Sequence, residues 1–213
     1  MAWQNLDLEE QEKLDELKAW WKQYGNLILL AVTAAALTVA GWGAWRWYQR
    51  NDSVQASQLY ETLAAGARAG DAKALRDASG ALTEGYARTL YASMGALAAA
   101  RFHAGRGELK SAKAQLHWVI ERSPADDFRD LARLRLAALL LDEKDFDGAL
   151  KLLEAKPLDA YAAQFSALKG DVLIARNQPA EARAAYQLAL EKANGAGGAF
   201  RDSIRMRLDA LGG

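Results

Sequence analysis

The chain has no cysteine, three prolines and two histidines in 213 residues. Without cysteine there are no disulfides, thiolate nucleophiles or cysteine-based metal sites, and the redox compartment is left undetermined. Lys plus Arg and Asp plus Glu both total 27. No net charge therefore points to nucleic acid or to an anionic membrane surface. So few prolines, with abundant alanine and few β-branched runs, predict helix throughout and almost no strand. His103 and His117 fall on successive helices of one hairpin with no motif to recruit them, so satisfied or surface imidazoles account for them better than a metal or acid–base site. "GRGELK" lacks the Gly-Lys-Ser/Thr ending of a phosphate loop and lies between helices, and "SALKGD" forms no nucleophile elbow. Asp126-Asp127 and Asp142-Glu143 fall at predicted turns, where capping and solvation explain them. The expectation is a protein that is not an enzyme, with no cofactor, no metal and no nucleic-acid partner.

What the sequence does have is one long apolar run. "WWKQYGNLILLAVTAAALTVAGWGAWRWYQR", Trp20 to Arg50, carries no charge between Lys22 and Arg46. Residues 23–45 as a helix measure about 34 Å at about 1.5 Å per residue, slightly longer than a hydrocarbon core of about 30 Å. Trp20, Trp21 and Tyr24 before it, and Trp42, Trp45, Trp47 and Tyr48 after it, suit two membrane-interface belts. A buried core helix explains neither the belts nor the uninterrupted run. A signal peptide is the other alternative, because Ala34-Ala35-Ala36 could meet small-residue cleavage. Against it, the first 25 residues carry six acidic and three basic side chains, whereas a signal peptide opens with a short positive region. Cleavage would also leave "LTVAGWGAWRWY" exposed. An uncleaved single span is expected. Lys13, Lys18 and Lys22 precede it and Arg46 and Arg50 follow, which favours a cytoplasmic N-terminus. Ahead of the span, Leu14, Leu17, Trp21 and Tyr24 recur at helical spacing among acidic residues. This describes an amphipathic helix, either a solvated stalk or a docking helix for a cytosolic partner.

Beyond the span, "SMGALAAARFHAGRGELKSAKAQLHWVIERSP" has the layout of a tetratricopeptide repeat, with Ala100, a Gly105/Gly107 break, then Ala112, Leu116, Val119 and Pro124. "DLARLRLAALLLDEKDFDGALKLLEAKP" repeats it with Ala137, Phe146, Ala149 and Leu153. "FSALKGDVLIARNQPAEARAAYQLALEKAN" repeats it again with Gly170, Leu173, Ala182, Tyr186 and Ala189. Ala112, Ala149 and Ala182 are offset by 37 and 33 residues, bracketing a repeat of about 34. Small residues are needed there because the two helices of a hairpin cross closely. Residues 54–85 read as an atypical first hairpin, with Ala56, Leu59, Tyr60, Leu63 and Ala67 facing Leu75, Ala78 and Leu82. "FRDSIRMRLDAL" puts Phe200, Ile204, Leu208 and Leu211 on one face, as a terminal capping helix would. The fold class is all-α: a transmembrane helix followed by an α-solenoid of tetratricopeptide-like hairpins. The expected division is a cytoplasmic amphipathic segment at 1–22, a transmembrane helix at 23–48 and a repeat domain at 49–213.

In "DLARLRLAALLLD", Leu136, Ala137 and Leu140 should face the helix's own partner. Leu131, Leu134, Ala138 and Leu141 form a second set about opposite. A surface helix needs only one stripe, so the second set either packs on another helix or lines the concave groove with which such arrays bind partners. By repeat position Leu97, Arg101, Asp171 and Ile174 join it. An apolar floor with an isolated Arg and Asp suits extended or helical peptide segments.

The order of these features is recognisable. An acidic start, "LKAWWKQYGN", a single span ending "GWGAWRWYQ", then "SAKAQLHWVIERSPADDFRDLARLRLAALLLDEKDFDGALKLL" and "LKGDVLIARNQPAEARAAY", resembles the ancillary SecYEG translocon subunit family of Gram-negative bacteria over nearly the whole chain. The resemblance implies an inner-membrane protein with its repeat domain in the periplasm. Such a protein works beside the Sec translocon with periplasmic folding factors, among them a membrane-anchored chaperone related to prolyl isomerases, and helps hand exported polypeptides onward. The family's cytosolic tail is linked to stress signalling, so an envelope-stress regulator is one alternative; a scaffold of another envelope complex is a second. No catalytic residue and no binding motif carries over.

Overall fold

The structure is a computed structural model that describes residues 8–193 and 197–212, leaving aside the side chains of residues 8–12, 44 and 47–49. The chain divides into two compact units, Met1–Asn51 and Asp52–Gly213. The described residues are helical, in order α1 (Leu8–Ala69), α2 (Ala72–Gly85), α3 (Leu90–Gly105), α4 (Leu109–Arg122), α5 (Asp126–Asp142), α6 (Phe146–Leu153), α7 (Asp159–Ala175), α8 (Pro179–Lys192) and α9 (Gly198–Asp209). No strand occurs among them.

In the first unit, the stretch Lys13–Gly43 of α1 is long and apolar enough to cross a membrane, with mean hydropathy 1.7. Only 6% of its window is buried, which separates it from the core helix of a soluble fold. Its two threonines spend their hydroxyls internally. Thr33 Oγ1 donates to the Leu29 carbonyl and Thr38 Oγ1 to the Ala34 carbonyl, both at 2.8 Å. Neither hydroxyl then needs water, the condition a hydrocarbon environment imposes.

In the second unit, the residues of α1 from Asp52 onward pair with α2. Ala56 and Leu63 meet Leu75, Ala78 and Leu82, with Leu59, Tyr60 and Ala67 at the margin. Gly70 turns the chain at φ 72°, and the Asp71 carboxylate caps α2 by accepting from the Lys73 and Ala74 N–H groups at 2.9 and 3.0 Å. Three further hairpins follow, α3/α4, α5/α6 and α7/α8, and their inner turns are built alike. Gly107, Lys144 and Asn177 each sit in the left-handed region, at φ 75°, 65° and 62°. The N–H of the next residue closes each turn: Glu108 N to His103 O at 2.9 Å, Asp145 N to Leu140 O and Gln178 N to Leu173 O at 2.8 Å. These turns recur at offsets of 37 and 33 residues, the spacing of Ala112, Ala149 and Ala182. All three alanines are fully buried.

Close helix approach explains two glycines. A Cβ on Gly95 would lie 2.6 Å from Leu82 Cδ1, and one on Gly170 would enter the Tyr186 ring. Helix α5 packs on both sides. Its Leu136 belongs to the cluster formed with Ala96, Ala100, Leu116 and Val119 of α3 and α4. Its neighbour Ala137 belongs to the cluster with Ala149 and Leu153 of α6 and Phe165 and Val172 of α7. A continuous core therefore passes from hairpin to hairpin, as in stacked repeats. It ends at α9, where Ile204 is fully buried and Phe200, Leu208 and Leu211 cover Ala182, Ala185 and Ala189 of α8.

Candidate partner-binding groove

The first helices of successive hairpins, α3, α5 and α7, lie against one another. Between α3 and α5 opens a cavity of about 340 Å³ lined by Ala100, Arg101 and Ala104 of α3, Leu116 of α4, and Arg135, Ala138 and Leu139 of α5. The three alanines make the space, because nothing longer projects from those positions. Arg101 is exposed and Arg135 half-buried. Arg135 Nη1 donates to the Leu97 carbonyl at a long 3.4 Å. Burial, and then the positive charge of Arg101, pull the Arg135 guanidinium below its ordinary value. Tyr161, at the start of α7, is pushed above the usual phenol range by burial and then by the carboxylates of Asp127 and Asp130.

The predicted groove residues divide between surface and interior. Arg101 and Ala138 line the α3/α5 cavity. Ile174 is exposed, at 39%. Leu97 is buried in the α3/α4/α5 cluster, against which Leu131 also packs. Leu134 and Leu141 pack on the α5/α6/α7 cluster. Asp171 is tied into the fold: it accepts from Tyr186 Oη at 2.7 Å and pairs with Arg207 Nη1 at 3.0 Å, joining α7, α8 and α9. Burial and then the bond to Asp171 push the Tyr186 hydroxyl well above its usual range, so it remains a donor. The structure thus brings Arg101 and Ala138 together and adds Arg135, a charge that interrupts the apolar stripe of α5. Its signal was present. Leu131, Arg135 and Ala138 follow at i, i+4 and i+7 on one helical face.

Further surface cavities lie along α7 and α8, one of them reaching the end of α6. One, about 460 Å³, lies among Lys169, Leu173, Glu181 and Leu188. Another, about 270 Å³, is rimmed by Lys156, Lys169 and Lys192 around Leu153 and Phe165.

The buried polar groups of this unit are occupied. Asp130 gives one carboxylate oxygen to Arg133 Nη1 at 2.7 Å and the other to the Leu158 N–H at 2.8 Å, pinning the start of α7 to α5. His103 is buried and meets Glu108 Oε2 through Nδ1 at 2.6 Å, while Arg106 Nε donates to the other Glu108 oxygen at 3.0 Å. These bonds, that from His103 first, hold the Glu108 carboxyl below its ordinary value. Among the described residues, no group of three or more His, Asp or Glu side chains is placed to hold a metal ion.

Of the predicted membrane-interface residues, Trp20, Trp21, Tyr24, Trp42 and Trp45 are exposed. Trp20 stacks at a tilt with Trp21 and Tyr24, and the Arg46 guanidinium lies 5.4 Å from the Trp42 ring centroid. Tyr24 and Trp42 are 18 residues apart along α1, about 27 Å at 1.5 Å per residue. The side chains of Trp47 and Tyr48 lie outside the described residues.

The chain matches the family model described as a tetratricopeptide repeat-like domain over residues 18–213. Among similar proteins, one from Neisseria gonorrhoeae is 31% identical, covering 96% of this chain and 98% of its own length. One from Haemophilus influenzae is 25% identical, over 85% of this chain and 89% of its own. One from Escherichia coli is 23% identical, over 84% and 85%. Each of the three is named an ancillary SecYEG translocon subunit. No solved structure matches.

Proposed function

This chain belongs to the family of ancillary SecYEG translocon subunits, and on that premise we propose that it is a non-enzymatic, membrane-anchored repeat protein that binds protein partners beside the Sec translocon. The observation that carries the reading is the pairing, on one chain, of an apolar helix whose side chains are left exposed with a repeat unit that buries its own apolar core. The exposed helix calls for a lipid environment, and the repeats offer a surface rather than a reaction centre. In this reading residues 23–48 anchor the chain in the bacterial inner membrane, residues 1–22 lie in the cytoplasm and residues 49–213 in the periplasm. The surface around Arg101, Arg135 and Ala138 receives partner polypeptides: exported chains, or periplasmic folding factors such as a membrane-anchored, prolyl-isomerase-like chaperone.

The test is purification of the full chain from native membranes in mild detergent. Recovery of the translocon core is expected. Recovery of cell-division or outer-membrane assembly proteins in its place would overturn the reading in favour of a scaffold. A second reading, an envelope-stress regulator acting through the N-terminal segment, draws on the exposure of Leu14, Leu17 and Trp21 in an acidic helix. Deleting residues 1–20 separates the two, since only the regulator loses its whole function.

A further inference from the structure

Most guanidinium groups around the α3–α7 stack are neutralised. Arg106 meets Glu108, Arg129 meets Asp126, Arg133 meets Asp130, Arg176 meets Asp147 and Arg207 meets Asp171. Arg122, exposed at the end of α4, also lacks a carboxylate partner among the described residues, but Arg101 and Arg135 differ from it in facing a common site. They share one small cavity, and among the described residues neither has a carboxylate within ion-pair distance. The rest of the lining is aliphatic and offers no amide, hydroxyl or acid. Two like charges held together against an apolar wall repel each other and lack a counter-charge of this chain's own.

We propose that Arg101 and Arg135 together grip the side-chain carboxylate of an Asp or Glu in a partner polypeptide, flanked by small apolar residues that settle against Ala104, Ala138 and Leu139. The assignment rests on the reading of this face as a partner groove and gives that groove its chemistry. A guanidinium fork matches a carboxylate in geometry, and two of them can hold both oxygens. The aliphatic lining explains why the rest of the ligand is apolar. It also favours a side chain over a chain terminus, because no polar side chain is present to fix a terminal peptide group. Burial first, and then the charge of Arg101, lower the proton affinity of Arg135, and a carboxylate beside it would offset the second of these.

The test uses the full chain in detergent and fluorescence anisotropy with three labelled peptides of Leu and Ala. The first is blocked at both ends and contains one Glu, the second has Gln in its place, and the third has Gln and a free C-terminal carboxylate. The Glu peptide should bind roughly tenfold or more tightly than the Gln peptide, the range of a charge-assisted hydrogen bond. Arg101→Gln and Arg135→Gln should each remove that preference. Because Arg101 makes no hydrogen bond or ion pair among the described residues, Arg101→Gln should not lower the melting temperature, so loss of binding in that variant is not loss of structure.

Equal binding of Glu and Gln peptides, no binding of any peptide, or a preference that survives both substitutions would overturn the inference. Tighter binding of the third peptide would overturn the side-chain assignment in favour of a chain terminus. None of these outcomes touches recovery of the translocon in the purification above. Conversely, failure of that purification leaves the peptide preference standing, so the two readings fall separately.

Discussion

Replacing Gly170 by alanine puts two physical effects in direct opposition. By helix propensity alone, alanine inside α7 should stabilise by about 1 kcal/mol. Against this, the added methyl would enter the ring of Tyr186, which is 3% exposed and has nowhere to retreat. Such overpacking costs about 1–3 kcal/mol. Moving the ring also draws Tyr186 Oη away from Asp171, a charge-assisted bond of 2.7 Å worth about 1.5–3 kcal/mol. These costs overlap, so a net loss of about 2–4 kcal/mol is expected. At about 2–4 °C per kcal/mol for a unit of this size, the melting temperature falls by roughly 5–15 °C. Circular dichroism of the full chain in detergent measures it. Gly80→Ala in α2 is the matched comparison: apart from its own helix backbone and chain neighbours nothing lies within 4 Å of its Cβ position, so the propensity gain of about 1 kcal/mol stands alone and the melting temperature should rise. If Gly170→Ala also raises it, the close crossing of α7 and α8 is refuted.

Ala35→Arg should impair membrane insertion, because one central arginine costs about 2.5–3.5 kcal/mol and nearly cancels the roughly 3 kcal/mol supplied by the aliphatic residues of the run; resistance to alkaline extraction equal to the parent's would contradict the anchor. Leu134→Glu should lower the melting temperature by several degrees, since its side chain packs on the α5/α6/α7 cluster and a carboxylate there costs about 1–3 kcal/mol. An unchanged melting temperature would place Leu134 on an open groove floor. Glu108 is held below its ordinary pKa in the folded chain, so its stabilising effect is complete above the unfolded value of 4.5 and is lost as pH falls through the folded value. The stability gap between the parent and Glu108→Gln should therefore be full at neutral pH and close in acid, and a gap that widens in acid would refute the assignment to His103 and Arg106.

The periodic features were the legible ones, because burial imposes them directly on residue type. Ala112, Ala149 and Ala182 mark helix crossings that admit nothing larger, and the facing rows Ala56, Leu63 and Leu75, Leu82 follow from a 3.6-residue period. What lay beyond reach depends on pairs distant in sequence. The second stripe of α5 predicts a second contact but not what supplies it. The structure divides it, with Leu134 and Leu141 against α6 and α7 and Ala138 at the α3/α5 cavity. Asp171 looked like a groove charge because its partners, Tyr186 and Arg207, are 15 and 36 residues away. Asp130, in the second turn of α5, is buried because its second partner is a backbone N–H at Leu158 that no side-chain pattern announces. Lys144 and Asn177 occupy left-handed turn positions where the first repeat has Gly107, so the turn is fixed by helix-end hydrogen bonds more than by residue choice.

The central claim is that the repeat unit meets export partners beside the translocon, and crosslinking from the groove tests it most directly. A photoreactive amino acid in place of Ala138, irradiated in intact cells, should form adducts with exported polypeptides, periplasmic folding factors or translocon subunits. Adducts confined to proteins of other envelope complexes, or to cytosolic proteins, would contradict the account.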